Sequence, residues 1–93
     1  MKVLFFHMDK CPHCIKQIKE LKGLSEAKKF ISIEKKNIST SQKTHYGIHK
    51  YPTIVFVNEK NKMLDKLEGF ASKEDIKQTY QDAERTNKII NKK

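Results

Sequence analysis

Lys2-Val3-Leu4-Phe5-Phe6-His7-Met8-Asp9-Lys10-Cys11-Pro12-His13-Cys14 decides how this chain folds. Val3 to Phe6 are all apolar. Successive residues of a strand point to opposite faces, so this run is hydrophobic on both sides. It reads as a strand covered on both faces, as a central strand of a helix-flanked sheet is. Met8-Asp9-Lys10 forms a short loop, and Pro12 suits the first position of a helix, where its missing N–H costs nothing. The only two cysteines of the chain therefore stand where a strand gives way to a helix.

Two thiols at i and i+3 can close into a small disulfide and reopen, which carries two electrons. Two other readings stand beside this one. A zinc site would need two more ligands, and inert thiols would need no special placement. His7 and His13 could complete a Cys2His2 set with Cys11 and Cys14, but zinc sites of that kind space their cysteines and histidines further apart. Redox chemistry is the favoured reading, with no metal expected. His7 is expected to end the strand as a partly buried cap, and His45 and His49 to lie on the surface.

Outward from the motif, Cys14, Ile18 and Leu21 recur at i, i+4 and i+7 with Ile15 beside them, while Lys16, Lys19, Glu20 and Lys22 take the other side. This spacing predicts an amphipathic helix from Pro12 to Lys22, ended by Gly23 or resuming to Lys28. Phe30–Lys35 reads as a second strand with Ile31 and Ile33 on one face. Ser39, Thr40 and Ser41 are candidate caps for a short helix reaching Tyr46, with Gly47 as a left-handed stop. Ile54-Val55-Phe56-Val57 is another fully apolar strand. A turn at Asn58-Glu59-Lys60-Asn61 leads to a strand over Lys62–Leu67, antiparallel to its neighbour. Gly69 breaks it. Ser72-Lys73-Glu74-Asp75 resembles a capping box. Ile76, Tyr80 and Ala83 then mark a last helix to about Lys88, with Asn91-Lys92-Lys93 as a frayed tail. The order β-α-β-α-β-β-α makes one α/β domain over residues 1–93, a four-stranded mixed sheet flanked by helices.

Twenty basic against eleven acidic side chains give a formal net charge of +9. Arg85 is the only arginine. Base and phosphate recognition leans on the guanidinium fork, so a lysine coat reads as a solvated surface more than as a nucleic-acid interface. Val3–Phe6 is too short for the core of a signal peptide, and no stretch approaches a membrane span. A monomeric cytoplasmic protein is expected. In that reducing setting a closely spaced cysteine pair is more often catalytic than structural.

Cys11-Pro12-His13-Cys14, Tyr46-Gly47-Ile48, Tyr51-Pro52-Thr53 and Gly69 together resemble the thioredoxin fold in its short, glutaredoxin-sized form, and the resemblance covers nearly the whole chain. It implies that Pro52 is cis and packs beside the redox pair. It also implies that Tyr51, Pro52 and Thr53 bind the substrate through the Tyr51 backbone. The stretch Glu34-Lys35-Lys36-Asn37-Ile38 is similar to thioredoxin rather than glutaredoxin. The Gly-Gly-Xaa-Asp segment that holds glutathione in many glutaredoxins is replaced by Glu68-Gly69-Phe70-Ala71. Thioredoxins carry a buried acid on the strand before the motif, where this chain has Phe5. They also begin with an extra strand and helix, for which this chain has no counterpart. The Cys-Pro-His-Cys quartet is that of oxidising periplasmic relatives.

The resemblance implies a thiol–disulfide oxidoreductase for protein disulfides or dithiols. Its redox cofactor would be the Cys11–Cys14 disulfide itself, and thioredoxin reductase or glutathione would supply electrons. Unpaired N–H groups at the helix start favour a thiolate at Cys11, which makes it the nucleophile. Cys14, a turn further on and expected to be the more buried, resolves the mixed disulfide. His13 can donate toward Cys11 and tune it. The alternative is a binding module on the same scaffold, holding a metal or a protein partner without redox turnover.

Overall fold

A computed structural model describes residues 1–23 and 30–91. The continuation of the first helix toward Lys28 and the tail at Lys92 and Lys93 lie outside the described residues. The elements are β1 (Lys2–His7), α1 (Pro12–Lys22), β2 (Ile31–Glu34), a 3₁₀ turn (Lys35–Asn37), α2 (Thr40–Tyr46), β3 (Thr53–Val57), β4 (Met63–Glu68) and α3 (Lys73–Asn91). The order is β-α-β-α-β-β-α, as expected. The 3₁₀ turn was not foreseen, and α3 runs on into the segment expected to fray.

The four strands form one mixed sheet in the order β2-β1-β3-β4. β1 runs parallel to β2, with Leu4 opposite Ile31 and His7 opposite Glu34. It runs antiparallel to β3, with Leu4 opposite Val55. β3 and β4 form a hairpin with a register irregularity at Phe56 and Val57. β1 and β3 are thus interior, which is why Val3–Phe6 and Thr53–Val57 are buried without a break. β2 lies at an edge. Its alternating isoleucines are only half used, and Ile31 is 50% exposed.

Period-2 alternation splits the core in two. Val3, Phe5, Ile54 and Phe56 pack on one face with Cys14 and Leu21 of α1 and Ile76 and Ala83 of α3. Leu4, Phe6, Val55 and Val57 pack on the other with Tyr46 and Ile48. Burial of a large aliphatic or aromatic side chain contributes about 1.5–3 kcal/mol, so these two clusters hold the three layers together. No helix among the described residues is long and apolar enough to cross a membrane.

The caps follow the sequence closely. Ser39 Oγ accepts from the Gln42 N–H at 3.1 Å, and the Gln42 side chain accepts from the Ser39 N–H at 3.2 Å. Gly47 closes α2 in the left-handed conformation, φ +60°, which costs an L side chain but not glycine. Lys66 of β4 adds a clamp: its ammonium donates to the carbonyls of Tyr46 and Gly47 at 3.3 and 3.1 Å. Ser72 Oγ accepts from the Asp75 N–H at 3.2 Å and opens α3.

Candidate active site at the head of the first helix

Cys11 is the N-cap of α1, with extended backbone, and Pro12 is the first helical residue. As a capping side chain, Cys11 Sγ accepts from the Cys14 N–H at 3.3 Å. This is one of the helix-start donors that would otherwise lack a partner. Lys10, just before it, adopts a left-handed conformation at φ +55°. That turn swings the chain from the end of β1 into the helix, at a cost that non-glycine residues usually avoid.

Both cysteines are free thiols, and both are buried. Cys11 is 5% exposed and Cys14 is 3% exposed. The contrast expected between an exposed nucleophile and a buried partner is therefore nearly absent. Cys11 belongs to the same packed cluster as Cys14, Ile54 and Ala71, and that cluster covers it. Electrostatics act clearly on Cys14. Burial pushes the Cys14 thiol up to about 11, and its hydrogen bond to Cys11 and the nearby Cys11 charge push the same way. The Met8 backbone N–H opposes the rise. Cys14 is thus held as a thiol, chiefly by burial.

His13 is exposed on the first turn of α1. His7 is half-buried at the end of β1, its ring stacked on Phe5 with centroids 5.1 Å apart. His45 and His49 are exposed, and His45 Nε2 lies 3.1 Å from the Asn61 carbonyl. Among the described residues no group of three or more His, Cys, Asp or Glu side chains is arranged to hold a metal ion.

The Tyr51–Pro52 peptide bond is cis. Pro52 and Thr53 are buried, and Thr53 Oγ1 donates to the Lys50 carbonyl at 2.7 Å, closing this turn. Tyr51 is half-buried and packs against both core clusters. Lys35 Nζ lies 5.8 Å from the centre of its ring. A cleft of about 440 Å³ opens beside the cysteine loop, lined by Met8, Asp9, Glu34, Lys35 and Lys36. It sits outside the carboxyl ends of β1 and β2, where open α/β sheets commonly receive ligands.

A family profile described as a thioredoxin-like domain matches residues 1–84. The chain belongs to the thioredoxin-like family. Solved structures of similar fold include thioredoxin 1 from Thermosipho africanus, with 18% identity and a TM-score of 0.65 over 98% of this chain and 99% of that one. Fasciola hepatica thioredoxin matches with 20% identity and a TM-score of 0.67 over 85% and 76% of the two chains. A malarial protein matches with 25% identity and a TM-score of 0.62 over 85% and 91%. Comparison with curated protein sequences finds no match. A thioredoxin-like fold that carries two cysteines at i and i+3 supports a thioredoxin-like redox role in general terms.

Two neighbours of the thioredoxin-like site escaped the sequence reading. Ile15 was grouped with the apolar stripe of α1 but is 57% exposed, whereas Gln17 is fully buried. On a helix the buried stripe is Cys14, Gln17 and Leu21, at i, i+3 and i+7, and Ile15 lies a full 100° step from it. The position of Lys35 over the Tyr51 ring has no signal in the local sequence.

Proposed function

We propose that this thioredoxin-like chain is a thiol–disulfide oxidoreductase acting on protein disulfides. The observation that carries the reading is the pairing at the helix head. Cys11 Sγ, at the N-cap, receives the Cys14 N–H at 3.3 Å, which sets both cysteines in the first turn of one helix.

In the reducing direction the Cys11 thiolate attacks one sulfur of the substrate disulfide. The substrate S–S bond breaks, one substrate thiolate leaves, and a mixed disulfide joins Cys11 to the other sulfur. Cys14 gives up its proton and attacks the Cys11 sulfur. The second substrate thiolate leaves, and both electrons have passed from the dithiol to the substrate. The Cys11–Cys14 disulfide is then returned to the dithiol by a thioredoxin reductase or by glutathione. Run backward, the same steps oxidise a substrate dithiol. In this reading the substrate segment lies along the backbone of Tyr51, which precedes cis Pro52 and the buried Thr53.

The test is reduction of a protein disulfide by the wild-type chain and by Cys11→Ser and Cys14→Ser. Turnover should be lost in both variants. Retained reduction in either variant would overturn the dithiol mechanism. Partner capture that survives both substitutions, with no reduction by the wild type, would favour the binding-module alternative.

A further inference from the structure

Gln17 lies on α1 one turn beyond Cys14 and is wholly buried, at 0% exposure. Its amide reaches Ala71, in the loop between β4 and α3. Nε2 donates to the Ala71 carbonyl at 3.1 Å, and Oε1 accepts from the Ala71 N–H at 2.7 Å. Both backbone groups of one buried loop residue thus end on a single side chain of the redox helix. Two residues earlier in the same loop, the Gly69 N–H donates to the Pro52 carbonyl at 2.8 Å. Gly69 has φ +78°. Between the two anchors stands Phe70, 45% exposed.

Burying an amide is unfavourable unless each of its polar atoms is matched, and matched bonds in a dry site are strongly directional. A leucine at position 17 would pack as well but fix nothing about the loop. The glutamine therefore contributes orientation. It bolts the loop 69–71 to the helix that carries Cys11 and Cys14, while Gly69 bolts it to the Pro52 segment.

Resting on the oxidoreductase reading above, we infer that Gln17 is a positioning residue for protein substrates. It holds the loop so that Phe70 meets an apolar side chain flanking the substrate's cysteine. Disulfide exchange needs three sulfurs in line, and a displacement of about 1 Å in the supporting frame can cost on the order of 100-fold in rate. A small disulfide carries no polypeptide flanking its sulfurs for Phe70 to meet. A protein disulfide presents a folded surface to it. Loss of the clamp therefore discriminates between the two.

The experiment compares Gln17→Leu, Gln17→Glu and Phe70→Ala in the full chain, reading kcat and KM for a protein disulfide and for a small aromatic disulfide. For Gln17→Leu the ratio of the two KM values should shift by roughly tenfold against the protein substrate, equivalent to about 1.4 kcal/mol. Phe70→Ala should shift the ratio the same way, and the double variant should shift it less than the sum of the two. Gln17→Glu adds a signature that a merely structural residue would not give. When protonated, the carboxyl donates to the Ala71 carbonyl and accepts from its N–H, so KM for the protein disulfide stays near wild type. When ionised, it faces that carbonyl with no proton, and KM rises with pH in the variant alone. If Gln17→Leu does not fold, the pH profile of Gln17→Glu and the Phe70→Ala ratio carry the test. An unchanged ratio in the folded variants, or a flat pH difference for Gln17→Glu, overturns the inference. A wild-type chain that reduces neither disulfide defeats the oxidoreductase reading itself, and the inference with it.

Discussion

The backbone N–H of Cys14 donates to the sulfur of Cys11 across 3.3 Å, so the first turn of α1 closes on its own capping thiol. A negative sulfur at Cys11 would strengthen this bond, since hydrogen bonds to an ionised acceptor are the stronger ones. The helix start thus offers a thiolate a backbone donor already in place.

The order of attack follows from this pairing. At neutral pH Cys11 should alkylate before Cys14, because Cys14 is held as a thiol to about 11. Cys14→Ser should accumulate mixed disulfides with substrate protein, and Cys11→Ser should accumulate none. Mass spectrometry of alkylated and trapped species checks both, and faster labelling at Cys14 would reverse the assigned roles.

Titration of Cys14 can be separated into its causes. Cys11→Ala removes the sulfur that accepts the Cys14 proton and the charge beside it, but leaves burial, the largest cause, in place. Cys14 should then titrate below about 11 yet above the ordinary 9.0. The sign for stability is that of a raised group. In the reduced wild type its contribution is complete below 9.0 and is lost as pH rises toward 11. Thiolate absorbance and alkaline denaturant midpoints measure the two effects.

His13 stands on the exposed side of the same first turn. If it favours the Cys11 thiolate by about 1 to 2 kcal/mol, it raises the potential of the pair by about 20 to 45 mV. His13→Ala should then make the potential more negative by that amount, read by equilibration with glutathione. An unchanged potential would reduce His13 to a solvated residue of the helix start.

Lys66 offers a test away from the thiols. Its ammonium caps the carboxyl end of α2 and pairs with Glu68 at 2.8 Å. Lys66→Met should lower stability by about 1 to 2 kcal/mol, the scale of two lost bonds to a charged donor after solvent screening. The Lys66 hydrogen bond and charge hold Glu68 below its ordinary carboxylate value of 4.5. That contribution is present above 4.5 and is lost as pH falls through the lowered value, so the variant should show a weaker acid dependence. Urea unfolding near neutral pH and in mild acid gives both numbers, and equal midpoints in the two proteins would remove the clamp.

What the sequence disclosed was whatever depended on near neighbours. Pro12 and Gly23 set α1, Ser39 and Gly47 set α2, and the unbroken apolar runs of β1 and β3 identified the interior strands. The cysteine pair signalled a redox reading by its spacing, and the thioredoxin-like fold supports that role in general terms. Gln17 did not, because a glutamine among lysines reads as surface until Ala71, far along the chain, is brought against it. The exposure of Ile31 depends in the same way on β2 lying at a sheet edge. The near-equal burial of the cysteines required the packing of Ala71 and Ile54 around them.

The hairpin turn also settles what the sheet presents at its edge. Ile54-Val55-Phe56-Val57 is a wholly apolar, uncharged run, the kind of segment that adds to copies of itself when left uncovered. The buried side chain of Asn58 accepts from the N–H groups of Lys60 and Lys62, both at 2.9 Å, and folds the chain back at once. β4 then arrives with Asp65 and Lys66 opposite Phe56 and Val55. The sticky strand is thereby held inside the sheet by its own hairpin partner, and the edge beyond it carries charged residues, which discourage pairing with a second chain.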